Sequence, residues 1–161
     1  MDKLIIFGAQ SLIWVIVFLA GIYFAWQPKK QQKEMLVLAM LALPIVYVAA
    51  KIGSFLYFDP QPFVVDNFVP LIAHTEDNGF PSDHTLLSAS AAMIVFFFKR
   101  RVGIALLTLA FLVGFFRVLA GVHHAVDIFG SVGFAIIFVW LARKYLLPAI
   151  LQTKIYKRYL S

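Results

Sequence analysis

Five ionisable side chains have types and spacings that can do chemistry: Lys51, His84, Arg117, His123 and Asp127. In Arg117-Val-Leu-Ala-Gly-Val-His123-His-Ala-Val-Asp127 an imidazole and a carboxylate stand four residues apart. On a helical turn that spacing sets them side by side. An Asp that accepts from one ring nitrogen fixes the tautomer and leaves the other nitrogen as a nucleophile or base. Asp127 also suits a helix N-cap, and the two roles are compatible. A second stretch, Gly79-Phe-Pro81-Ser82-Asp83-His84-Thr85, puts Pro and Ser just before an apolar run, which signals a helix start. Free N–H groups and the helix dipole there favour an anion. Ser82 and His84 add a hydroxyl donor and a proton source. Lys51 is equally suited to snorkelling to the surface, and Arg117 to a structural pair with Asp127 or Asp83. His74 and His124 read as interface histidines.

These residues need elements to carry them, and composition says which kind. Of 161 residues, 62% are apolar and only 14% charged, with a mean hydropathy of +0.88. A soluble domain is closer to half apolar and a quarter charged. The absence of cysteine removes disulfides, thiol nucleophiles and thiolate metal sites. Runs long enough to cross a bilayer, about 20 residues, fall near 4–26, 35–58, 82–98, 102–122 and 128–147. The expectation is a single all-α integral membrane domain over 1–161. It is a bundle of about five transmembrane helices, with a polar break at 27–34 and a long interfacial loop between the second and third spans. That loop, 59–84, holds four prolines. The first run is too long and too poorly flanked for a cleaved signal peptide.

Charge orients the bundle. Segments 27–34, 99–101 and 143–161 hold 11 of the 14 Lys and Arg but one acid of eight, Glu34. Lys and Arg concentrate on the cytoplasmic side. This puts the C-terminus inside and the candidate site outside, in a multi-pass cell-membrane protein. The net charge of +6 then reflects positive-inside bias and attraction to anionic lipid, not nucleic-acid binding. The tail from Gln152 to Ser161 reads as an amphipathic interfacial stretch.

Pro81-Ser82-Asp83-His84 resembles the central Pro-Ser-x-His motif of the type 2 phosphatidic acid phosphatase superfamily. Arg117-x5-His123-x3-Asp127 has the spacing of that superfamily's third motif. The stretches 57–63 (YFDPQPF) and 74–85 (HTEDNGFPSDHT) are similar to the bacitracin-resistance type of undecaprenyl-diphosphate phosphatases. The similarity runs from about Lys51 to Gly133. The first motif of the superfamily reads Lys-x6-Arg-Pro; here Gln61 precedes Pro62 and Lys51 lies ten residues before Gln61. Phe116 stands where the third motif usually opens with Ser.

The resemblance implies that His123 attacks the terminal phosphorus and forms a phosphohistidine, with Asp127 orienting it. His84 would protonate the leaving lipid phosphate and then activate water. Lys51, Ser82, Asp83, Arg117 and the N–H groups around Ser82 would make the substrate-binding set, with Gln61 a neutral stand-in for the Arg. No metal or cofactor is needed. The substrate is a polyprenyl diphosphate at the outer face. Other readings are a broader phosphatase for phosphatidic acid or phosphatidylglycerol phosphate, and a non-catalytic anionic-lipid-binding or transport protein. A metal-dependent hydrolase built on His84, His123, Asp83 and Asp127 is a further one. Oligomeric state is not legible in the sequence.

Overall fold

A backbone in lipid must satisfy its own hydrogen bonds, so apolar runs of this length become helices. The computed structural model describes residues 1–153, and the regular elements among these are all helices, with one isolated bridge between Pro60 and Asn78. The helices are α1 (Asp2–Gln10), α2 (Leu12–Ala25), α3 (Lys29–Leu56), α4 (Pro62–Val65), α5 (Asp83–Phe96), α6 (Arg100–Leu119) and α7 (Ala125–Leu141). A π-helical turn, Ala142–Leu146, carries α7 into α8 (Leu147–Leu151). The expected interfacial tail lies largely outside the described residues.

Three helices are long and apolar enough to cross a membrane: α3, α6 and the continuous Ala125–Leu151 segment. The bent pair α1 and α2 makes a fourth if it counts as one span, and α5 is a shorter apolar helix. The all-helical membrane architecture is therefore present, with three or four candidate spans among the described residues. The expected first run, 4–26, is broken at Ser11 into two helices 47° apart. Two residues before the break, the Ala9 carbonyl accepts a hydrogen bond from Arg117 Nη1 at 3.3 Å. A side chain inserted into the i→i−4 ladder is a recognised cause of such bends.

Two boundaries differ from the sequence expectation in ways that matter. The polar segment 27–34 is not a break throughout, because α3 starts at Lys29 directly after Pro28. Lys, Gln and Glu are good helix formers, so polarity there does not interrupt the helix. At the other end, α6 stops at Leu119 and α7 starts at Ala125. His123 thus lies in the connecting turn, not on a continuous helix with Asp127.

The principal core joins α2, α3, α5, α6, α7 and α8 through Ile16, Leu38, Val46, Ala89, Val113, Val139 and Leu147. Short connections make α5, α6 and α7 run alternately up and down. At one end Arg143 lies over the Phe98 ring at 5.9 Å, tying the end of α7 to the end of α5. At the opposite end Lys51 of α3 meets Asp83 of α5. A second apolar cluster, Ala9, Phe63, Ile72, Ala120 and Val122, lies under the loop that joins α3 to α5. Large apolar side chains such as Phe55, Phe129 and Trp14 remain exposed on the bundle surface, as a lipid-facing helix requires.

Gly121 makes the turn between α6 and α7 at φ +81, and a Cβ there would meet Phe68 Cε2 at 2.5 Å. A left-handed residue with a side chain costs roughly 1–2 kcal/mol. Gly121→Ala is expected to lower the unfolding midpoint in detergent by roughly 2–8 °C. Gly133, with nothing near its missing Cβ, is the control: Gly133→Ala should leave the midpoint unchanged or slightly higher. An equal midpoint for both variants would show that the turn conformation does not constrain the fold.

Candidate active site

The site is built where four helices end at the same face of the bundle: the end of α3, the start of α5, the end of α6 and the start of α7. Its centre is the turn between α6 and α7. His123 Nδ1 lies 3.1 Å from Asp127 Oδ2, with His123 only 4% exposed and Asp127 fully buried. Asp127 Oδ2 also accepts the backbone N–H of His124, the N-cap of α7, at 2.9 Å. One carboxylate therefore holds the first turn of α7 and the His123 ring together. The carboxylate accepts a hydrogen bond from Nδ1–H, which leaves the Nε2 lone pair of His123 free. His123 and His124 line an open cavity of about 560 Å³ with Pro62, Asp66 and Phe68.

Ser131 of α7 fastens the start of α5 to this turn. Its hydroxyl lies 2.9 Å from the Ser82 carbonyl and 2.7 Å from the Asp127 carbonyl. Ser82, the N-cap of α5, is fully buried, and its Oγ accepts from Thr85 Oγ1 at 3.2 Å. No side chain caps the first turn of α5, so its N–H groups are left for another acceptor. His84, in that turn, is within electrostatic reach of Arg117, His123, Asp83 and His74. Arg117 is 3% exposed; beyond its bond to Ala9, its Nε is buried without a hydrogen-bond partner. Lys51 and Asp83 stand at the rim, both exposed, 4.0 Å apart.

Loop 57–82 closes over this cluster. Asn78 staples it: Nδ2 donates to the Ser54 and Tyr57 carbonyls at 2.8 and 2.9 Å, while Oδ1 accepts from the N–H groups of Asp59 and Phe80. Gly79 lets the loop pass against the centre, because a Cβ there would sit 3.0 Å from both Asp127 Oδ2 and the Asp59 carbonyl. Asp59 is brought beside the turn, where its Oδ2 lies 3.0 Å from His124 Nδ1. Burial, and then the neighbouring Asp127, pushes the Asp59 carboxyl above its ordinary range. Gln61 is fully buried. Its amide bonds to His74 and Asp77, not to the opening of the site.

The structure thus brings His123, Asp127, His84, Arg117, Ser82, Asp83 and Lys51 to one end of the bundle. It also brings three residues that the sequence reading left aside: Asp59, His74 and His124. The His74 ring centre is 5.5 Å from that of His123. Their sequence separations carry no helical period; the only signals are that Asp59 and His74 fall within 57–63 and 74–85 and that His124 follows His123. Asp59, His124 and Asp127 have ligand atoms within 4.8 Å of one another, a set able to hold a metal ion. Of those atoms, His124 Nδ1 and Asp59 Oδ2 form a hydrogen-bonding pair, while Asp127 Oδ2 is taken up by His123 Nδ1 and the backbone N–H of His124.

The model of the PAP2 superfamily matches residues 33–150 of the chain. The chain is similar to the bacitracin transport permease protein BcrC of Bacillus licheniformis: 34% identity over 130 residues, 80% of this chain and 63% of that protein. It is 39% identical over 88 residues to the undecaprenyl-diphosphatase BcrC of Bacillus subtilis, covering 55% of this chain and 46% of that protein. It is 30% identical over 132 residues to the putative undecaprenyl-diphosphatase YbjG of Escherichia coli, covering 81% and 66%. The chain thus spans between about half and two thirds of the length of these curated relatives.

Burial pushes the His123 imidazole below its ordinary pKa, while its hydrogen bond to Asp127 pulls in the opposite direction. The neutral ring therefore persists as pH falls below 6.5, the ordinary value. In ¹⁵N spectra of the detergent-solubilised protein, His123 should titrate with a midpoint below 6.5. Asp127→Asn removes the raising influence and should move the midpoint lower still. A midpoint above 6.5 would show that Asp127 outweighs burial, and a rise in the Asn variant would show that Asp127 does not raise the ring's pKa.

Proposed function

The chain belongs to the PAP2 superfamily, and on that premise we propose that it is an integral membrane phosphatase. Its substrate is a polyprenyl diphosphate, undecaprenyl diphosphate in the first instance, and it releases the terminal phosphate. The observation that carries the reading is the buried His123–Asp127 pair, set among Arg117, His84 and the uncapped start of α5. The names of the two undecaprenyl-diphosphatase relatives supply the substrate class.

His123 Nε2 attacks the terminal phosphorus. The N–P bond forms as the anhydride P–O bond breaks, and His84 gives a proton to the departing lipid phosphate. Water then attacks the phosphohistidine, His84 takes its proton, and inorganic phosphate leaves as the N–P bond breaks. Asp127 stabilises the imidazolium that develops on His123. Arg117 and the α5 N–H groups neutralise charge on the phosphoryl oxygens, the main requirement of phosphoryl transfer. Lys51 is held only by an exposed pair with Asp83, and such pairs are weak; it swings to the phosphate from the rim.

The proposed topology has five spans, α5 included, with the site at the outer face. Its support is that the site end lies opposite Lys29, Lys30, Lys33, Lys99, Arg100, Arg101, Arg143 and Lys144. The positive-inside bias assigns that basic end to the cytoplasm.

Purified protein should release phosphate from undecaprenyl diphosphate faster than from phosphatidic acid, with or without chelator. His84→Ala should lower kcat/KM by roughly 10²–10⁴-fold, and His123→Ala by at least as much. Substantial turnover by the His123 variant would remove the phosphohistidine route, and loss of wild-type activity with chelator would put a metal in its place. A cysteine at exposed Glu76 should react with an impermeant thiol reagent in intact cells, and one at exposed Lys30 should not. The reverse pattern would turn the site to the cytoplasm.

A further inference from the structure

Gln61 and His74 are polar residues whose arrangement the mechanism above does not use. Gln61 is fully buried, and one backbone donor fixes the orientation of its amide. The backbone N–H of Asp77 can only donate, and it meets Gln61 Oε1 at 3.1 Å. That fixes the orientation of the amide. Its Nε2 hydrogens then point to Asp77 Oδ1 at 2.6 Å and to His74 Nδ1 at 3.0 Å. Both amide hydrogens and the amide oxygen are engaged.

The consequence falls on His74. Facing an N–H donor, its Nδ1 must accept, so in the neutral ring the proton sits on Nε2. The Thr75 carbonyl, 3.0 Å from the same Nδ1, is the partner of the other tautomer, which the Gln61 amide hydrogen disfavours. Nε2–H has no partner among the described residues. The ring is half-buried and T-shaped with that of His123, at an interplanar angle of 83° with centres 5.5 Å apart. It also leans against Phe63, 6.4 Å between ring centres. An imidazole with an unused donor beside the proposed nucleophile lies where the attacked group would bind. A phosphorus about 3 Å from His123 Nε2 brings its oxygens within reach of a ring centred 5.5 Å away.

We propose that His74 is a substrate-contacting residue whose Nε2–H donates to an oxygen of the terminal phosphoryl group, and that Gln61 is the positioning residue that fixes its tautomer and aim. Gln61 thus acts on the phosphate through His74 and not directly. The proposal deepens the phosphatase reading and rests on it for the identity of the phosphoryl donor. It does not rest on it for phosphate binding itself.

The test uses the full chain in detergent micelles, with inorganic phosphate as a binding probe and undecaprenyl diphosphate as substrate. His74→Ala should weaken phosphate binding, and raise KM, by about tenfold, the loss expected for one hydrogen bond to a charged group. Gln61→Ala should act in the same direction and by less. In the His74→Ala background Gln61→Ala should change phosphate affinity by less than twofold, since its route to the phosphate is already gone. His74→Gln, which keeps a donor at similar reach, should recover part of the affinity. Unchanged phosphate affinity in His74→Ala would overturn the proposal. So would independent, multiplying effects of the two alanine variants, because a merely structural Gln61 would still cost affinity without His74. Wild type that binds phosphate through His74 but releases none from the diphosphate would support the proposal while refuting the phosphatase reading.

Discussion

A carboxylate with no access to solvent sets the terms for the rest of the molecule. Asp127 is fully buried, and an isolated charge in such surroundings is too costly to persist without donors. The fold supplies them from the nearest chain: the N–H of His124 and the Nδ1–H of His123, both at Oδ2. One interaction therefore caps α7, closes the α6–α7 turn and fixes the tautomer of His123, the proposed nucleophile. A Cβ on residue 79 would crowd the same carboxylate, and burial together with that carboxylate raises the pKa of Asp59.

Arg117 shows the same economy at the neighbouring helix. A guanidinium 3% exposed cannot draw its hydrogen bonds from water, so one goes to a backbone carbonyl in α1. That contact lies next to the break at Ser11, and it links the N-terminal helices to the site. It leaves Nε without a partner, a donor whose buried position favours an anion. The site's positive character is thus partly a matter of incomplete satisfaction, which the family's chemistry makes sense of.

Much of this was legible in the sequence because its signals are local. The apolar runs, the Pro81-Ser82 helix start and the His123-x3-Asp127 spacing each lie within a few residues. The clustering of cations at one set of loops survives as an end-to-end polarity of the bundle. The bend at Ser11 was not legible, since it depends on Arg117 reaching across 108 positions to Ala9. The start of α3 at Lys29 was missed because polar residues were taken to end a helix, whereas Lys, Gln and Glu propagate one. Asp59, His74 and His124 were passed over for a related reason. Their partners lie across a loop, 65 residues apart for Asp59 and His124, and no periodicity encodes a loop closure.

That loop is where this chain departs from its motif and where the departure makes physical sense. An arginine before Pro62 would bring a long charged group to the phosphate; a glutamine at a fully buried position cannot. What a buried amide can do is arrange other groups, since it has two donors and an acceptor and needs all of them met. Asp77 and His74 meet them, and Asn78 anchors the same stretch to the end of α3. Fixing loop 57–82 from both directions costs chain entropy, and in return it sets an imidazole beside His123 without burying another charge. On the proposed reading, exchanging a fixed cation for a neutral donor lowers the desolvation cost of the site, at the expense of weaker attraction for a phosphoryl group.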